Sequence, residues 1–533
     1  MALRIGIDVG GTHTDAVILD SQNSIVGAEK VDTTEDVSTG ISDALDLILR
    51  RSGVDRKEIT AAMFGTTHCT NAIVERKRLA HVGLIRIGKP ATVGIPPLYS
   101  LPVDLRRAIG DTWAIVPGGH EFDGKELSRF DEEATTEAAE RFRSDGVEAV
   151  AISSVFSPVN SAHEVKAGQL VSWVFGRGIP ITLSHEIGSI GLLERENASA
   201  LNCALTKVAN AAITGFQESM RKAGITSAKI FLTQNDGTLM TVDYARKFPI
   251  RTIASGPTNS MRGAAFLTGL RDGIVVDIGG TTMLVGALVH GFPRESGVAV
   301  EIGGARTNFR MPDLVAVSCG GGTVVTVGGE GSPKVGPESV GFRITKDSCA
   351  WGGRALTTTD IALGLGYAKI DDPNCEPERV RNAFSKGDMS KAMELILSIF
   401  EDSIDKMKAS ADPVPVVLVG GGGIIIPSAF HGKIGGVSKI IRPSHFQFAN
   451  AIGATISQVS GEIDGIYDLD KIARADAVAK AKEAAVAEAV RAGADPSTVE
   501  TVETEEIPLS YLPGTAIRIR AKAAGGLLYG PAG

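Results

Sequence analysis

Short apolar runs alternate with amphipathic segments along most of the chain. Runs such as LRIGIDV at 3–9, VEAVAISSVF at 147–156 and VPVVLV at 414–419 are rich in valine and isoleucine and have the length of buried strands. Between such runs, segments like 37–52 repeat apolar residues at helical spacing, and Gly53 follows as a stop signal. This alternation predicts an α/β architecture with buried strands.

Longer helical patterns follow residue 190. They predict helices over about 193–221, 377–409 and 470–492, the last of them rich in alanine, lysine and glutamate. The charged triplet ERE at 194–196 is typical of a solvated helix face. After the third helix, ADPSTVETVETEE predicts an exposed acidic linker, and IPLSYL and TAIRIRAK predict a final strand pair.

One short pattern occurs twice. GIDVGGTHTDAVILD begins at residue 6, and VVDIGGTTMLVGALV begins at residue 275. In the alignment Asp8 matches Asp277, Gly10-Gly11 match Gly279-Gly280, and Thr12 matches Thr281. The copies lie too far apart for a solenoid repeat. They predict two related domains, over residues 1–190 and 191–465, followed by a C-terminal segment at 466–533.

A hairpin with D-x-G-G-T at its bend suits phosphate binding. Glycines let backbone N–H groups approach an anion because no Cβ blocks the way, and threonine hydroxyls add donors. An aspartate repels phosphate but holds Mg²⁺, usually through water, and the ion bridges the two. A single copy fits a plain tight turn equally well. Two copies favour two hairpins that close on one polyphosphate, and the glycines 420–423 after VPVVLV would cradle adenosine.

These patterns give a set of candidate ligands. The candidate catalytic residues are Asp8 and Asp277, and the candidate Mg²⁺ ligands are Asp8, Asp15 and Asp277. The candidate nucleotide-binding residues are Gly10, Gly11, Thr12, Thr14, Gly279, Gly280, Thr281, Thr282, Gly420, Gly421, Gly422 and Gly423.

Composition and charge narrow the function classes. A chain of 533 residues with 43% apolar and 22% charged residues is expected to form two or more globular domains. Its net charge of −8 argues against nucleic acid or an anionic membrane as partner. The five cysteines include no CxxC pair, which predicts neither a disulfide framework nor a zinc site and favours the cytoplasm. We find neither a signal-peptide pattern nor an apolar run long enough to span a membrane.

The ordered set of motifs resembles a known family. The chain has no Walker A motif, and its first glycine turn lacks the Rossmann spacing. Duplicate D-x-G-G-T hairpins with a later GGGG turn look like the phosphate-1, phosphate-2 and adenosine motifs of the actin/hexokinase/Hsp70 ATPase superfamily. Within it, DVGGTHTDAVI, FGTTHCTNAIVERK, LLERENASALNCAL, ASGPTNSMRGA, CGGGTVV, VGPESVG and NAIGA resemble, in order, the hydantoinase/5-oxoprolinase A-type family.

The resemblance implies a fold and an activity. The fold would be α/β, with two duplicated actin-like ATPase domains of ribonuclease H-like fold, a nucleotide cleft between them, and a C-terminal α/β extension. The activity would be ATP-dependent opening of a cyclic amide such as a hydantoin or 5-oxoproline, with ATP and Mg²⁺ as cofactors. ATP would phosphorylate the carbonyl oxygen, and water would then attack the carbon. A B-type hydantoinase subunit, in a homo- or hetero-oligomer, is the partner that the family implies.

The second hairpin departs from the family pattern. The family usually has D-M-G-G-T-S-x-D there, whereas this chain has DIGGTTMLV, with Leu284 in place of the second aspartate. The first hairpin keeps Asp15 at the matching position. Two alternatives therefore stay open beside the hydrolase, namely a nucleotide-binding subunit with little turnover and a small-molecule kinase of the same superfamily.

Other polar residues follow strand ends. Thr66, Thr67, His68 and Asn71 lie in GTTHCTN, where they would either line a substrate pocket or cap the following helix. SGP at 255–257 would offer helix N-terminal amides to phosphate, or form an ordinary N-cap.

Overall fold

The computed structural model describes most of the chain. The described residues are 2–10, 13–32, 37–176, 178–188, 190–296, 300–327, 332–430, 432–509 and 515–527.

The apolar runs form strands. They are β1 (Leu3–Val9), β2 (His13–Leu19), β3 (Ile25–Asp32), β4 (Ile59–Thr66), β5 (Val82–Lys89), β6 (Thr112–Pro117), β7 (Ala149–Ser154), β8 (Ile181–Leu183), β9 (Lys229–Thr233), β10 (Leu239–Thr241), β11 (Gly273–Ile278), β12 (Met283–Val289), β13 (Phe292–Pro293), β14 (Val300–Ile302), β15 (Ala305–Thr307), β16 (Leu314–Val317), β17 (Thr323–Thr326), β18 (Lys334–Ser339), β19 (Val414–Val419), β20 (Val437–Ile441), β21 (Val459–Asp468), β22 (Glu500–Pro508) and β23 (Ala516–Gly525).

The amphipathic segments form helices. They are α1 (Val37–Ser52), α2 (His68–Glu75), α3 (Val103–Ala108), α4 (Glu132–Ser144), α5 (Ala162–Phe175), α6 (Leu192–Lys222), α7 (Val242–Lys247), α8 (Ser255–Thr268), α9 (Ile344–Asp347), α10 (Thr358–Gly364), α11 (Pro377–Ala383), α12 (Lys386–Met407), α13 (Ala449–Ile456) and α14 (Arg474–Arg491). None of these described helices is long and apolar enough to cross a membrane.

Two sheets repeat one strand arrangement. In the first, β3, β2 and β1 form an antiparallel meander, and β4 and β9 follow parallel to β1. In the second, β16, β12 and β11 form the meander, and β19 and β20 follow parallel to β11. The sequence repeat therefore corresponds to a repeated fold unit, and the predicted α/β class with duplicated actin-like domains is confirmed.

The first sheet extends beyond the N-terminal part of the chain. Past β9 it continues through β10, β21, β23 and β22, so strands from before residue 190 and after residue 465 share one sheet. The sheets therefore do not follow the predicted division at 190 and 465. The predicted acidic linker is wrong, because Glu500–Pro508 pairs with β23 as an edge strand. Its β-branched residues Thr501, Val502, Thr504 and Ile507 suit a strand, and its exposed acidic side chains suit an edge position.

A smaller sheet carries a separate core. Its strands β6, β5, β7 and β8 are parallel, and α4, α5 and α6 pack against it. The short pairs β14–β15 and β17–β18 lie outside the larger sheets.

Helices α8 and α13 join the two repeated units. Helix α13 packs on β1 and β2, α8 packs on β11 and β19, and the two helices contact each other. Glycines permit this approach, because a Cβ on Gly453 would lie 1.8 Å from the Asn259 carbonyl oxygen and one on Gly263 would lie 1.9 Å from that of Ala449. The N-terminal ends of both helices line the cavity between the two repeated sheets.

The charged start of α6 is buried, so the predicted solvated face is wrong there. Arg195 and Glu196 have no more than 1% exposure. Glu196 pairs with Arg86 of β5 through two hydrogen bonds of 2.6 and 2.7 Å, and Arg195 donates to the Ser184 hydroxyl at 2.8 Å. The helix is buried on every side over 195–206, and the paired partners offset the cost of burying the charges.

Candidate functional site

The two glycine hairpins face one cavity of about 600 Å³ between the repeated units. We call it the hairpin cavity. The candidate residues that line it are Asp8, Gly10, Asp15, Thr67, Asp277, Gly279, Gly280, Thr281, Thr282, Gly420, Gly421 and Gly422. The duplicated motif therefore lies on two facing walls of the same space, although its copies are distant in the chain.

The two hairpins close in the same way. In the first, the Gly10 N–H donates to the His13 carbonyl oxygen at 3.0 Å; in the second, the Gly279 N–H donates to that of Thr282 at 2.9 Å. The strand register places Asp8 directly opposite Asp15, and Asp277 directly opposite Leu284. Leu284 thus occupies the structural position that Asp15 has in the first hairpin, and it lines the cavity.

The later glycine turn packs against the second hairpin. Gly420 has φ +83°, and a Cβ there would lie 2.2 Å from Asp277 Oδ1. A Cβ on Gly422 would lie 2.5 Å from the Gly279 carbonyl oxygen. Only glycine combines this backbone conformation with this approach. Another glycine run braces the same hairpin, since Gly321 N–H donates to the Gly279 carbonyl at 2.9 Å.

Asp8 is a buried carboxylate in the first wall. It is 4% exposed, and its Oδ2 accepts a hydrogen bond of 2.8 Å from the Asn450 amide. Its Oδ1 has no hydrogen-bond partner among the described residues. Burial, followed by the negative charges of Asp15 and Asp277, raises the pKa of Asp8 to about 7. A carboxyl with this pKa and one open oxygen is ready to accept a cation or a proton.

The other two carboxylates have partners. Asp15 forms an ion pair with Lys30 of β3, which opposes the rise in its pKa that burial causes. Burial also raises the pKa of Asp277, and a hydrogen bond from Ser260 of α8 partly opposes this rise. Three acids whose pKa values are all raised therefore surround one cavity. Lys30 is the one lysine or arginine among the described residues that line it.

The side chains of the hairpin cavity supply only part of the ligand set of Mg²⁺, and phosphate oxygens and water would supply the rest. No three carboxylate, imidazole or thiol side chains in the described ranges converge closely enough to hold a metal by themselves. Mg²⁺ in phosphoryl-transfer sites usually has one or two carboxylates, with water and phosphate oxygens as the remaining ligands. The unpartnered Asp8 Oδ1 and the nearby Asp277 suit that arrangement.

Several candidate residues lie outside the lining of the cavity. Thr14 and Gly423 are buried, and Gly11 and Thr12 lie outside the described residues. Thr66 is 4% exposed, and its hydroxyl contacts the His68 ring. Burial, and then the charge of Arg78, lower the pKa of His68. Asn71 is exposed on α2. Of the GTTHCTN group, only Thr67 reaches the cavity; it is the N-cap residue of α2 but makes no side-chain capping bond.

Some lining residues were not predicted. Lys30 and Asn450 were not among the candidate ligands, although Asn450 begins the NAIGA motif, and only the fold brings them to Asp15 and Asp8. The N-terminal turn of α8 also lines the cavity with Gly256, Pro257 and Ser260, as the SGP motif suggested. The described remainder of the lining includes Trp351, whose indole N–H donates to Asp372 at 2.7 Å. Isoleucines at 344, 370 and 424 make this end apolar.

Two family models match most of the chain. The model described as Hydantoinase/oxoprolinase N-terminal region matches residues 4–175, and the model described as Hydantoinase/oxoprolinase matches residues 195–463.

Two curated relatives match about two thirds of the chain. The caprolactamase subunit alpha of Pseudomonas jessenii is 29% identical over 392 residues, which are 68% of this chain and 54% of the relative. The acetophenone carboxylase gamma subunit of Aromatoleum aromaticum is 25% identical over 403 residues, or 69% and 53%. The chain thus spans about half the length of the curated relatives it matches.

A solved structure supports the fold. The crystal structure of the ATP-dependent caprolactamase from Pseudomonas jessenii superposes with a TM-score of 0.78 at 20% identity, over 99% of this chain and 88% of that one. With the hairpins, the repeated units and the model matches all in agreement, the chain belongs to the hydantoinase/oxoprolinase family.

Proposed function

We propose that this chain is an ATP-using subunit that phosphorylates the carbonyl oxygen of a cyclic amide so that the ring can be opened by water. The observation that carries the proposal is the pair of D-x-G-G-T hairpins facing each other across the hairpin cavity, with Asp8 and Asp277 on opposite walls. A single hairpin of this kind could be an ordinary tight turn. Two facing hairpins can instead close on one polyphosphate from both sides, and we call this pair the clamp.

The clamp would act mainly by positioning. Backbone N–H groups of the two glycine turns, and those at the N-terminus of α8, suit phosphate oxygens. The hydroxyls of Thr281 and Thr282 add donors on the second wall. The apolar end near Trp351 would take the adenine ring, next to the turn at 420–422. Such positioning is most of what phosphoryl transfer requires from a protein.

Asp8 and Asp277 would hold Mg²⁺, with Asp15 beside them. When bound, the ion supplies charge neutralisation and polarises the phosphate oxygens. Asp8 contributes its open Oδ1, and the hydrogen bond from Asn450 fixes the orientation of its carboxylate. The ion pair with Lys30 opposes the rise in the pKa of Asp15 that burial causes.

The substrate class follows from the chemistry of activation. An amide carbonyl is a poor electrophile, and phosphorylation of its oxygen makes a leaving group and an electron-poor carbon. The named relatives are subunits of a caprolactamase and an acetophenone carboxylase, and both names refer to a compound that carries a carbonyl group. We therefore propose a lactam or hydantoin as substrate, with a B-type subunit as the partner that completes hydrolysis.

Phosphate release tests the function. The chain, alone and with its co-purified partner, would be assayed for ATP hydrolysis with caprolactam, 5-oxoproline, hydantoin and a simple ketone. We expect stimulation by one cyclic amide and formation of the ring-opened acid. A stable phosphorylated product would instead identify a kinase, and no stimulation by any carbonyl compound would refute the proposal.

A subunit with little turnover is the second candidate, and Leu284 is the observation that favours it. Leu284 stands opposite Asp277, where the first hairpin has a carboxylate. For Leu284→Asp we expect a rise in ATP turnover of about tenfold if the missing carboxylate limits the reaction. Leu284→Asn is the matched control, since it adds polarity without charge. Equal turnover in both variants and the parent would show that this position does not limit catalysis.

Lys30 should help to neutralise the negative charge of bound ATP. Bound ATP would bring several negative charges to a wall that already carries Asp8 and Asp15, and Lys30 is the nearby cation. For Lys30→Gln we expect kcat/KM for ATP to fall roughly 10- to 100-fold. Lys30→Arg keeps the charge and should retain most of the activity. A Lys30→Gln enzyme with unchanged kcat/KM would contradict this role.

A further inference from the structure

A second cavity, of about 610 Å³, shares no described lining residue with the hairpin cavity. Its walls are the turn at 185–188, the β9–β10 turn, α7, β21 and α14. We call it the C-terminal cavity, because β21 and α14 form one side. Its volume lies in the range of small-molecule sites, about 300–1,000 Å³. The proposed phosphorylation does not use it.

Arg251 offers open hydrogen-bond donors to this cavity. Its side chain is 22% exposed, and its guanidinium lies 5.8 Å from the centre of the Tyr244 ring. Within the described ranges its guanidinium makes no hydrogen bond, and the one ion contact of the guanidinium is with Glu462 at 4.0 Å. The other oxygen of Glu462 already contacts Arg310 Nε at 2.9 Å. The planar fork of Arg251 is therefore available for a carboxylate.

The other lysine and arginine side chains that line this cavity form close ion pairs with glutamates. Lys247 contacts Glu186 at 2.8 Å, and Arg491 pairs with Glu488 one turn away. Arg310 contacts Glu295 at 3.0 Å as well as Glu462. Arg251 thus differs from its neighbours in having a guanidinium without a close acid.

A histidine with a fixed orientation lies on another wall. The fully buried Glu164 accepts hydrogen bonds from His185 Nδ1 at 2.6 Å and from the His185 backbone N–H at 3.1 Å. Because a carboxylate only accepts, Nδ1 donates the hydrogen bond to Glu164, and this bond fixes the orientation of the ring. The ring is 21% exposed and lines the cavity.

Asn308 offers a hydrogen-bond acceptor beside this histidine. Its amide N–H donates to the Gly191 carbonyl at 3.1 Å, which fixes the orientation of the side chain. Its Oδ1 is buried and has no hydrogen-bond partner in the described part of the chain. A Cβ on Gly188 would lie 2.4 Å from that oxygen, so Oδ1 lies against the turn that carries His185.

The overall charge of the lining selects the kind of ligand. The described lining has four basic and five acidic side chains, so its field suits a molecule of little net charge and disfavours a polyphosphate. Open donors at Arg251 match a carboxylate, and the acceptor Asn308 Oδ1, beside the His185–Glu164 pair, matches an ammonium group. A zwitterion with both groups meets these requirements together.

We propose that the C-terminal cavity binds a small amino-carboxylate, the chemical class that is released when a cyclic amide is opened. Its carboxylate contacts Arg251, and its amine contacts the His185 and Asn308 wall. The link to the reaction product rests on the proposed function, whereas the ligand class rests on the cavity alone. A product bound there gives the subunit a means of sensing how far ring opening has gone.

Calorimetric titration of the full chain without nucleotide tests the proposal. The probes are 6-aminohexanoate and glutamate, compared with hexanoate and hexylamine, which each lack one charged group. We expect an amino-carboxylate to bind more tightly than either single-charge analogue. Arg251→Gln should weaken that binding about tenfold or more. Lys247→Gln is the matched control, because Lys247 lines the same cavity but is paired with Glu186.

Two further variants keep the test decisive. Asn308→Ala should bring the affinity for the amino-carboxylate down to that for hexanoate, even if Arg251→Gln fails to fold. Asp8→Asn removes a hairpin-cavity ligand and should leave this binding unchanged, which separates the site from ATP use. Absence of binding by the parent chain, full affinity in Arg251→Gln, or loss of binding in Asp8→Asn would each overturn the proposal.

Discussion

Asp8→Asn should stop ATP turnover and yet raise the thermal stability of the nucleotide-free protein at pH 8. Loss of the carboxylate removes the open Oδ1 that would hold Mg²⁺, and we expect turnover to fall roughly 100-fold or more. The side chain keeps its shape, so the hydrogen bond from Asn450 can be retained. Phosphate release and a melting curve on the same sample measure both effects.

The stability gain follows from the pKa of Asp8. Because the folded-state pKa of about 7 is above the ordinary value of 3.8, the ionised form is costly in the folded protein. The cost is absent below pH 4, grows as the pH rises toward 7, and is complete above it. The rise in pKa from 3.8 to about 7, at about 1.4 kcal/mol for each tenfold change in proton affinity, sets an upper limit near 4 kcal/mol, and protein relaxation should leave roughly 1–3 kcal/mol.

The pH dependence provides the control. Asp8→Asn should stabilise the protein at pH 8 and have little effect at pH 3.5, where Asp8 is protonated in the folded state and mostly protonated in the unfolded chain. Asp32→Asn is the matched variant, since its carboxylate is 82% exposed on the neighbouring β3 and should change neither stability nor turnover much. A destabilised Asp8→Asn protein at pH 8 would show that the burial cost is already met by a bound cation.

Glu196→Ala should cause the largest loss of stability. It would leave the Arg86 guanidinium buried without its carboxylate, in a pair whose side chains are each 1% exposed. It would also remove the acceptor for the Leu98 N–H and the Ser153 hydroxyl. Breaking one partner of a buried pair costs about 3–5 kcal/mol. We expect a fall in melting temperature of roughly 5–10 °C, measured by calorimetry.

Two variants distinguish the pair from general helix effects. Glu194→Ala, two residues earlier on α6, should be nearly neutral because Glu194 is only half-buried. The double variant Arg86→Met with Glu196→Met removes both charges and should recover most of the loss, since apolar replacement of a whole buried pair is often tolerated. A double variant as unstable as Glu196→Ala would mean that packing of β5 on α6, and not the charge, dominates.

Local sequence patterns were sufficient to predict many of the helices and strands and the duplicated hairpin. The periodicity predicted α6 over about 193–221, and the helix spans Leu192–Lys222. The strand expected from LRIGIDV at 3–9 is also present, as Leu3–Val9. These features depend on neighbouring residues and on alternation of apolar positions, which a sequence displays directly.

Contacts between distant residues were beyond those patterns. Lys30 reaches Asp15 across adjacent strands, and Asn450 reaches Asp8 from a helix more than four hundred residues later. The charged start of α6 was predicted to face solvent because an isolated charged triplet usually does. Its burial depends on Arg86, whose distance in the chain gives no local sign of the pairing.

By itself, the sequence determined the α/β elements, the duplicated D-x-G-G-T hairpins and the family resemblance, because backbone propensity, periodicity and glycine placement are local properties. The tertiary structure decided which of the candidate residues share the hairpin cavity, that the acidic segment at 500–508 is a strand, and that Asp8 titrates near pH 7. Those outcomes depend on burial and on charges brought together by folding, and no local pattern encodes the dielectric surroundings of a side chain.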